Sequence, residues 1–385
     1  MRRFLSIVLV LGLILSFSLV TAVPAAAAPI NVPGDYSTIQ AAITAANPGD
    51  TVHVAAGTYY EQDILMKNGV DVLGAGAGST TIDAGGGGGH VVIANGVDST
   101  TTIDGFTITG GYADIGGGMY IYNASSPTVS NCIFTGNRAV NYGGGMYIHQ
   151  SSPLVVNCVF ESNTSDNRGG GIGCRENSSP TIVNCIIVDN TAVSGGGIYS
   201  SSSSSPTITN NTIVGNTATN GGGIYTGLLP TITNNIIASN IATTSGSGIY
   251  CTAATLAIYY NDVYNNDLVN CTSTNGISTD PEFIGGGDYH LDSSVPSPCI
   301  DAGDNAAIPV GITTDFEGDP RIWGSAVDMG ADEYYVAPPP PPSGTVGGEV
   351  FPVDKAALLL PWLGLGLVLI LAAGGLILVR RQARR

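Results

Sequence analysis

The chain has 385 residues, of which 54 are glycine and only 11% are charged. Twelve lysines and arginines stand against 29 aspartates and glutamates, which gives a formal net charge of −17. Phosphate backbones require basic surface, so this composition excludes nucleic acid as an expected partner. The length allows one large elongated domain together with targeting segments.

Both ends of the chain have the composition of targeting segments. Residues 1–28 combine a basic start, an apolar run and a small-residue stretch, which is typical of a secretory signal peptide. Residues 356–379 carry no charge, and about 20 apolar residues suffice for a helix to cross a bilayer. A Pro/Gly-rich spacer, 338–355, precedes this transmembrane helix, and a basic cytoplasmic tail, 380–385, follows it. We therefore expect an exported, single-pass surface protein with its N-terminal domain outside.

A short amphipathic helix is predicted where the exported domain begins. Ser37 and Gln40 have the spacing of a capping box, apolar residues recur from Ile39 at helical spacing, and Pro48 ends the pattern. We expect this helix to cover the exposed end of the first coil.

A glycine triplet followed by an apolar residue and a short strand recurs through the middle of the chain. The triplets begin at Gly116, Gly143, Gly169, Gly195 and Gly221, with a weaker copy at Gly246. A period of about 26 residues predicts a solenoid. The unit is rich in Ile, Val, Thr and Tyr and is broken by bends, so its elements are strands. We predict an all-β, right-handed parallel β-helix over 29–275, with regular repeats at 112–260.

Stacking these units predicts columns of equivalent side chains. The inward column contains Ile182, Ile208 and Ile232, and the bend column contains Asn184, Asn210 and Asn234. An outward column contains Tyr120, Tyr147, Tyr199, Tyr225 and Tyr250 and is interrupted at Gly173. The tyrosines either stack on one another for stability or offer a carbohydrate-binding platform.

The cysteines of an exported chain invite a disulfide interpretation. Cys132, Cys158 and Cys185 follow bend asparagines on successive coils, where they either stay buried thiols or form one bridge. Cys251 and Cys271 close an excursion where the repeat fades, and we predict a disulfide between them.

The stretch 276–337 departs from the repeat and is predicted to cap the other end of the solenoid. Its acids are clustered around a single arginine, Arg321. They either hold Ca²⁺ through oxygen ligands or form salt links without metal.

One charged group in the regular coils suggests a catalytic site: Asp166, Arg168, Arg175 and Glu176. These residues flank the triplet at Gly169, in the coil where Gly173 interrupts the tyrosine column, so we expect a notch there. Against catalysis, no pair of acids has a fixed offset in adjacent coils.

The opening stretch, residues 30–43, follows the pattern Ile-x-Val-Pro-Gly-x-Tyr-x-Thr-Ile-Gln-Ala-Ala-Ile, and a Gly-Asp-Thr-Val-x-Val step comes soon after it. Both resemble the start of pectin-lyase-like right-handed β-helix proteins, and the Asn/Gly coils are similar to their parallel β-helix repeats. Residues 297–333 resemble the closing segment of choice-of-anchor proteins. The resemblance covers about 30–335. The resemblance implies the fold, but it does not imply one activity. Proteins of this kind include lyases that use Ca²⁺ and a basic residue, hydrolases that use grouped aspartates, and proteins with no known activity.

Two functional hypotheses follow from these patterns. In the first, the chain is a membrane-anchored extracellular β-helix protein, a monomer, that binds surface glycans or serves as an adhesive or structural component of the cell envelope. In the second, it is an extracellular polysaccharide lyase or glycoside hydrolase that uses the charged group around Gly169. Replacing Arg168 or Arg175 by alanine separates the two, because only an enzyme has turnover to lose.

Overall fold

The computed structural model describes residues 29–335, apart from 202, 228–229, 253–255 and 293. The predicted signal peptide, spacer, transmembrane helix and tail lie outside the described residues. Within the described part of the chain, no helix is long and apolar enough to cross a membrane.

Three long parallel sheets, here named faces A, B and C, build most of the molecule, because each coil adds one strand to each face. Strands are numbered in chain order. Face A contains β1 (Ile30–Val32), β2 (Thr51–Val54), β5 (Asp71–Gly74), β8 (Thr102–Asp104), β12 (Thr128–Ser130), β16 (Leu154–Val156), β20 (Thr181–Val183), β23 (Thr207–Thr209), β27 (Thr231–Thr233), β31 (Leu256–Tyr259) and β34 (Cys271–Thr274). Face B contains β3 (Gly57–Tyr59), β6 (Thr80–Asp83), β9 (Thr107–Thr109), β13 (Ile133–Thr135), β17 (Val159–Glu161), β21 (Ile186–Val188), β24 (Thr212–Val214), β28 (Ile236–Ala238) and β32 (Asp262–Tyr264). Face C contains β4 (Ile64–Leu65), β7 (Val92–Asn95), β11 (Met119–Tyr122), β15 (Met146–His149), β19 (Ile172–Arg175), β22 (Ile198–Ser200), β26 (Ile224–Thr226), β30 (Ile249–Cys251) and β33 (Leu268–Val269).

A fourth face, D, lies between faces B and C along the chain and is made of shorter pairings. It contains β10 (Tyr112–Ile115), β14 (Arg138–Tyr142) and β18 (Thr164–Ser165), and separately β25 (Thr217–Asn220) and β29 (Ile241–Ser245). The remaining strands, β35 (Phe283–Gly285) and β36 (Asp288–Leu291), form an antiparallel hairpin after the last coil. The helical elements among the described residues are helix α1 (Ile39–Ala45) and a single 3₁₀ turn at Asn305–Ala307.

The strands stack in register, so equivalent side chains form columns. Ile182 pairs with Ile208 and Ile208 with Ile232, and all three are buried, which confirms the predicted inward column. On face C the buried column follows the triplets: Met119, Met146, Ile172, Ile198, Ile224 and Ile249. Alternate residues of a strand point to opposite sides of its sheet, so every face directs one set of side chains inward. These inward columns together form one apolar interior that runs the length of the coils.

The glycine triplets are required by close packing between coils. Gly169 has a φ of +68°, a conformation that side chains with a Cβ rarely adopt. A Cβ added to Gly144, in the middle of the neighbouring triplet, would lie 2.4 Å from the carbonyl oxygen of Thr164. The repeat that the sequence displays is therefore a steric requirement of each coil.

Buried asparagines satisfy the backbone at the bends. Between faces B and D the ladder consists of Asn137, Asn163, Asn190, Asn216, Asn240 and Asn266. Each inner amide bonds to both neighbouring coils; Asn190, for example, donates to the Phe160 carbonyl at 2.8 Å and to Asn216 Oδ1 at 2.9 Å. A second ladder, between faces A and B, consists of Asn211, Asn235 and Asn261. Backbone groups turned away from water thus find partners at every bend.

The predicted bend asparagines adopt the left-handed conformation, but their amides have other partners than expected. Asn184, Asn210 and Asn234 have φ between +51° and +59°. Their side-chain amides donate mainly to the backbone of the C-terminal segment: to the carbonyls of Thr314, Asp328 and Asp304, at 2.8, 3.0 and 3.0 Å. Only the contact from Asn234 to Asn210, at 3.4 Å, joins two members of the column.

Helix α1 spans Ile39–Ala45 and packs against β1, β2 and β4 at the N-terminal end of the solenoid. Its N-cap is Thr38, whose hydroxyl accepts from the Ala41 amide at 3.2 Å, so the capping box predicted with Ser37 was wrong by one residue. The Gln40 side chain instead accepts from the Leu65 amide of β4, at 2.6 Å. The Gln40 side chain is thus engaged in a tertiary contact and does not close a capping box.

The C-terminal segment, here residues 297–335, folds back along the coils. Besides its bonds to the bend asparagines, it buries Cys299 and Met329 against Ile236 of face B and Leu291 of the hairpin, in a second small core. We predicted residues 276–337 as a cap of the solenoid end. The hydrogen bonds from Asn184, Asn210 and Asn234 instead attach residues 297–335 to the side of three successive coils.

The cysteines occupy both of the environments considered. Cys251 and Cys271 form a disulfide with a Cα–Cα distance of 5.9 Å. Cys132, Cys158 and Cys185 are buried thiols, one above the other at the position where later coils carry the second asparagine ladder.

Candidate functional site

The outer surface of face C carries a column of aromatic rings that stack along the solenoid. Ring centroids of Tyr120 and Tyr147 are 5.6 Å apart, those of Tyr199 and Tyr225 are 5.3 Å apart, and those of Tyr225 and Tyr250 are 5.1 Å apart. Strands in register, about 4.8 Å apart, place equivalent rings at this separation. The ring faces therefore contact neighbouring rings, and a ligand would meet ring edges and hydroxyl groups.

The break in the column at Gly173 is filled by a residue from the preceding coil. Tyr142, the last residue of β14, places its ring 5.5 Å from Tyr147 and 6.4 Å from Tyr199. Space at Gly173 is limited, since a Cβ there would lie 3.0 Å from the Gly143 amide nitrogen and 3.4 Å from the Tyr147 ring. Instead of the expected notch, the surface here has a continuous aromatic floor.

Two arginines lie over this floor. The guanidinium carbon of Arg175 is 4.6 Å from the centroid of the Tyr142 ring. That of Arg168 is 5.7 Å from Tyr142 and 5.3 Å from Tyr199, and its Nη1 donates to the Tyr142 hydroxyl at 3.0 Å. Cation–π contact of this kind fixes a guanidinium without neutralising its charge. We name this group, Arg168, Arg175 and Tyr142, the arginine site.

The four charged residues singled out from the sequence do not form one cluster. Asp166 lies on face D and forms a bidentate ion pair with Arg138, at 2.9 Å. Glu176 contacts Arg175 at only 3.8 Å, and its closer partner is His149 Nε2, at 2.8 Å. The hydrogen bond from His149 holds the pKa of the Glu176 carboxyl below its usual value. Arg168 and Arg175 are the two members that the fold brings together.

Burial keeps two tyrosines of the column, Tyr147 and Tyr199, neutral. Burial raises the pKa of Tyr147 well above its usual value, and it also raises the pKa of Tyr199. These two side chains are only 4% and 7% exposed. The two guanidinium groups of the arginine site therefore lie close to two phenols, Tyr147 and Tyr199, that burial keeps neutral.

Free positive charge is scarce on this protein. Five lysines and arginines fall within residues 29–335: Lys67, Arg138, Arg168, Arg175 and Arg321. Lys67 donates to carbonyls at the end of α1, Arg138 is paired with Asp166, and Arg321 is buried. Within the described ranges, Arg168 has no acidic side chain within 4 Å, and Arg175 has only the long contact to Glu176. The arginine site is thus the positive point on an acidic surface.

Tyr142 and His149 were not identified from the sequence. A signal for Tyr142 exists, because the residue before each glycine triplet occupies one column, and in that column Tyr142 pairs with Arg168 of the next coil. His149 follows the outward Tyr147 by two residues on β15, so both side chains project from the same side of the strand. The spacings themselves are present in the sequence, but they indicate a shared surface only once the coils are stacked.

Comparison with known proteins identifies the repeat. The family described as "Right handed beta helix region" matches residues 66–227 and 162–285. Similar solved structures include pectate lyase Pel9A, with 18% identity and a TM-score of 0.48 over 79% of this chain and 95% of that one. They also include the Azotobacter vinelandii mannuronan C-5 epimerase AlgE6 A-module, with 15% identity and a TM-score of 0.26 over 65% and 91%. No curated protein sequence matches the chain. The case for a function therefore rests on the residues of this chain.

Proposed function

The chain belongs to the right-handed β-helix family, and from that premise we propose that it binds acidic polysaccharides on face C, with the arginine site as the anchor for a carboxylate or sulfate group. The observation that carries this proposal is the pair of guanidinium groups gathered on Tyr142. Both are held in place by aromatic rings, and neither is closely paired with an acid among the described residues.

The hydrogen-bonding capacity of the two arginines suits an anionic group. A guanidinium has five N–H donors in a planar fork that matches carboxylate and sulfate oxygens. Arg168 uses one donor on Tyr142, and the Arg175 side chain makes no hydrogen bond to the described residues. Donors thus remain for a ligand on both side chains.

Preorganisation adds to this capacity. A free arginine loses about 0.5–1.5 kcal/mol of conformational entropy when a ligand immobilises it. Stacking on Tyr142 and Tyr199 already restricts the two side chains before a ligand arrives. A larger part of the interaction energy is then available for affinity.

The shape of face C favours a polymer over a small anion. Partly exposed phenols continue the column on both sides of the arginine site, Tyr120 on one side and Tyr225 and Tyr250 on the other, while Tyr147 and Tyr199 beside the site are buried. A linear glycan lying along this column would place one acidic group on the arginines and hydroxyl groups on the phenols. The net charge of −17 opposes such a ligand only weakly at physiological salt, because charges beyond about 8 Å are largely screened.

The predicted export and membrane anchoring of the chain agree with a polysaccharide ligand. Residues 1–28 and 356–379 support export and single-pass anchoring, with cell-envelope polysaccharides as the accessible partners and the chain acting as a monomer. In this arrangement the β-helix is a glycan-binding or adhesive surface protein.

The test is an affinity measurement on the full-length chain with polygalacturonate, alginate and neutral dextran. We expect the acidic polymers to bind and dextran to bind much more weakly. Replacing Arg168 or Arg175 by alanine removes charged hydrogen bonds worth about 1.5–3 kcal/mol, so affinity should fall about 10-fold or more. Arg138→Ala is the matched control, because it removes an exposed arginine of face D and should leave affinity within about 2-fold. Equal losses in all three variants would contradict the arginine site as anchor.

A polysaccharide lyase is the second candidate, and the contact between His149 and Glu176 favours it. In a β-elimination, a base takes the proton beside the sugar carboxylate, the bond to the leaving oxygen breaks, and a carbon–carbon double bond forms. Arg175 would neutralise the sugar carboxylate, and His149, oriented by Glu176, would be the base. Unsaturated ends should be measured in the same samples. Their release by the wild type and loss in His149→Ala would make the protein an enzyme, whereas retention without product supports binding alone.

A further inference from the structure

A pocket of about 340 Å³ lies where the β35–β36 hairpin meets the C-terminal segment. His290, Glu317 and Asp332 line it, each from a different part of the chain. We propose that these three residues bind a transition-metal ion of the Zn²⁺ type. The site is separate from the arginine site and does not depend on the proposed function.

The geometry brings one ligand atom of each residue together. An imidazole nitrogen and two carboxylate oxygens lie within 4.8 Å of one another, and His290 Nε2 is 2.9 Å from Glu317 Oε1. Atoms bound to one Zn²⁺ ion at about 2.1 Å are at most about 4.2 Å apart, so small side-chain rotations complete the set.

A fourth residue orients the histidine as metal sites require. Asp288 Oδ1 contacts His290 Nδ1, and the same oxygen accepts from the His290 backbone amide at 3.1 Å. This contact holds Nδ1 and leaves Nε2 directed at the other two ligands. Metal-bound histidines almost always donate their second ring N–H to a carboxylate or carbonyl in this way. Asp288 lies outside the three ligands, so its contact is an observation independent of them.

The charges of the pocket favour a cation. Glu317, Asp319 and Asp332 line it, and His290 is the only cationic or potentially cationic side chain among its described lining residues. Asp332 accepts no hydrogen bond from any described residue, although it is only partly exposed. A divalent ion would supply the missing partner.

The ligand set distinguishes between metals. Ca²⁺ takes six to eight oxygen ligands, whereas imidazole with carboxylates suits Zn²⁺ and neighbouring transition metals. The Ca²⁺ considered from the acids alone is therefore the poorer match at this place. Since the ligands come from the hairpin, the turn after Asp315 and the chain beyond Arg321, the ion would also join these three stretches.

The experiment is a calorimetric titration of the full-length chain, prepared without a histidine tag and stripped of metal with a chelator. We expect one Zn²⁺ per chain, and no comparable binding of Ca²⁺. His290→Gln and Asp332→Asn should each weaken Zn²⁺ binding about 10-fold or more, and Asp288→Asn should weaken it about 10-fold through the orientation of His290. Asp319→Asn, in the same pocket but outside the ligand set, is the matched control and should stay within about 3-fold of wild type.

Circular dichroism of each variant shows whether it is folded. If His290→Gln does not fold, the Zn²⁺ affinity of the nearly isosteric Asp332→Asn tests the site. Absence of stoichiometric Zn²⁺ binding by the wild type overturns the proposal. Unchanged affinity in folded Asp332→Asn overturns it as well, since the ion would then be held elsewhere. Ca²⁺ binding as tight as Zn²⁺ binding would overturn the choice of metal.

Discussion

The regular coils and the C-terminal segment solve the same problem, the burial of polar groups, in opposite ways. In the coils the buried polar side chains are neutral apart from Asp262 on β32, and the ladder asparagines among them bond to the equivalent amide one coil away. In the C-terminal segment they are charged: Arg321 and Glu333 are almost fully buried and lie 3.3 Å apart. The first solution is local and repeated, and the second depends on one set of partners. The segment should therefore be the part that single substitutions release.

The largest effect is expected from Arg321→Met. The Arg321 guanidinium donates to the carbonyls of Ala331, Asp328 and Gly330 at 2.9–3.2 Å, so its removal leaves these acceptors and the Glu333 carboxylate without their cation. Breaking a buried pair in this way costs about 3–5 kcal/mol. We expect the segment to detach while the coils stay folded.

Two signals separate these regions in a denaturant titration. In a Trp362→Phe background, Trp323 is the only tryptophan and reports the segment, while far-ultraviolet circular dichroism reports the coils. Arg138→Met is the matched control, because it breaks an exposed pair worth about 1 kcal/mol or less. A single coincident transition, equally shifted in both variants, would mean that the two regions are not energetically distinct.

How far the fold could be predicted from the sequence follows from the same contrast. Stacked coils place residues about 26 apart in contact, so a pattern seen five times in the chain becomes a column in space. Ile182, Ile208 and Ile232 were found as a column for this reason. The right-handed β-helix was likewise predictable from its repeats, and the family match confirms it.

The sites were less predictable, because their contacts do not repeat. Tyr142 reaches the gap at Gly173 from the preceding coil, and no other coil has this arrangement among the residues described. The amide of Asn184 bonds to a carbonyl 130 residues away, and that of Asn210 to one 118 residues away. Such contacts follow from the packing of the completed solenoid and leave no period in the sequence.

The next largest loss of stability is expected from Asn190→Ala, which acts on the coils themselves. Asn190 Oδ1 accepts from the backbone and the side chain of Asn163, and its Nδ2 serves the carbonyls of Phe160 and Val188. Each buried group left unpaired costs about 1–3 kcal/mol, so we expect the free energy of unfolding to fall by about 3 kcal/mol. Circular dichroism in urea measures it. Asn95→Ala, which removes an exposed amide contact, should change it by less than about 0.5 kcal/mol.

The smallest effect is a pH dependence that arises in the C-terminal segment and where β32 of the coils contacts it. Burial raises the pKa of Asp262, which contacts Cys299, to about 6, and it raises the pKa of Asp328 to about 6. An unfolded aspartate titrates near 3.9, so between these values the folded state binds the extra proton. Stability from these groups is therefore present at low pH and is lost as pH rises through 6.

Between pH 5 and pH 7 the loss should reach about 2 kcal/mol for the two groups, since one pKa unit corresponds to about 1.4 kcal/mol. The Trp323 transition should follow this change, while the transition of the coils should move less, because apart from Asp262 their buried side chains are apolar or neutral polar. Asp328→Asn should reduce the slope without abolishing it, because burial also raises the pKa of Asp332 to about 7 and that of Glu333 to about 8. A coil transition with the same slope as the Trp323 transition would show that the buried charges of the segment act on the whole solenoid.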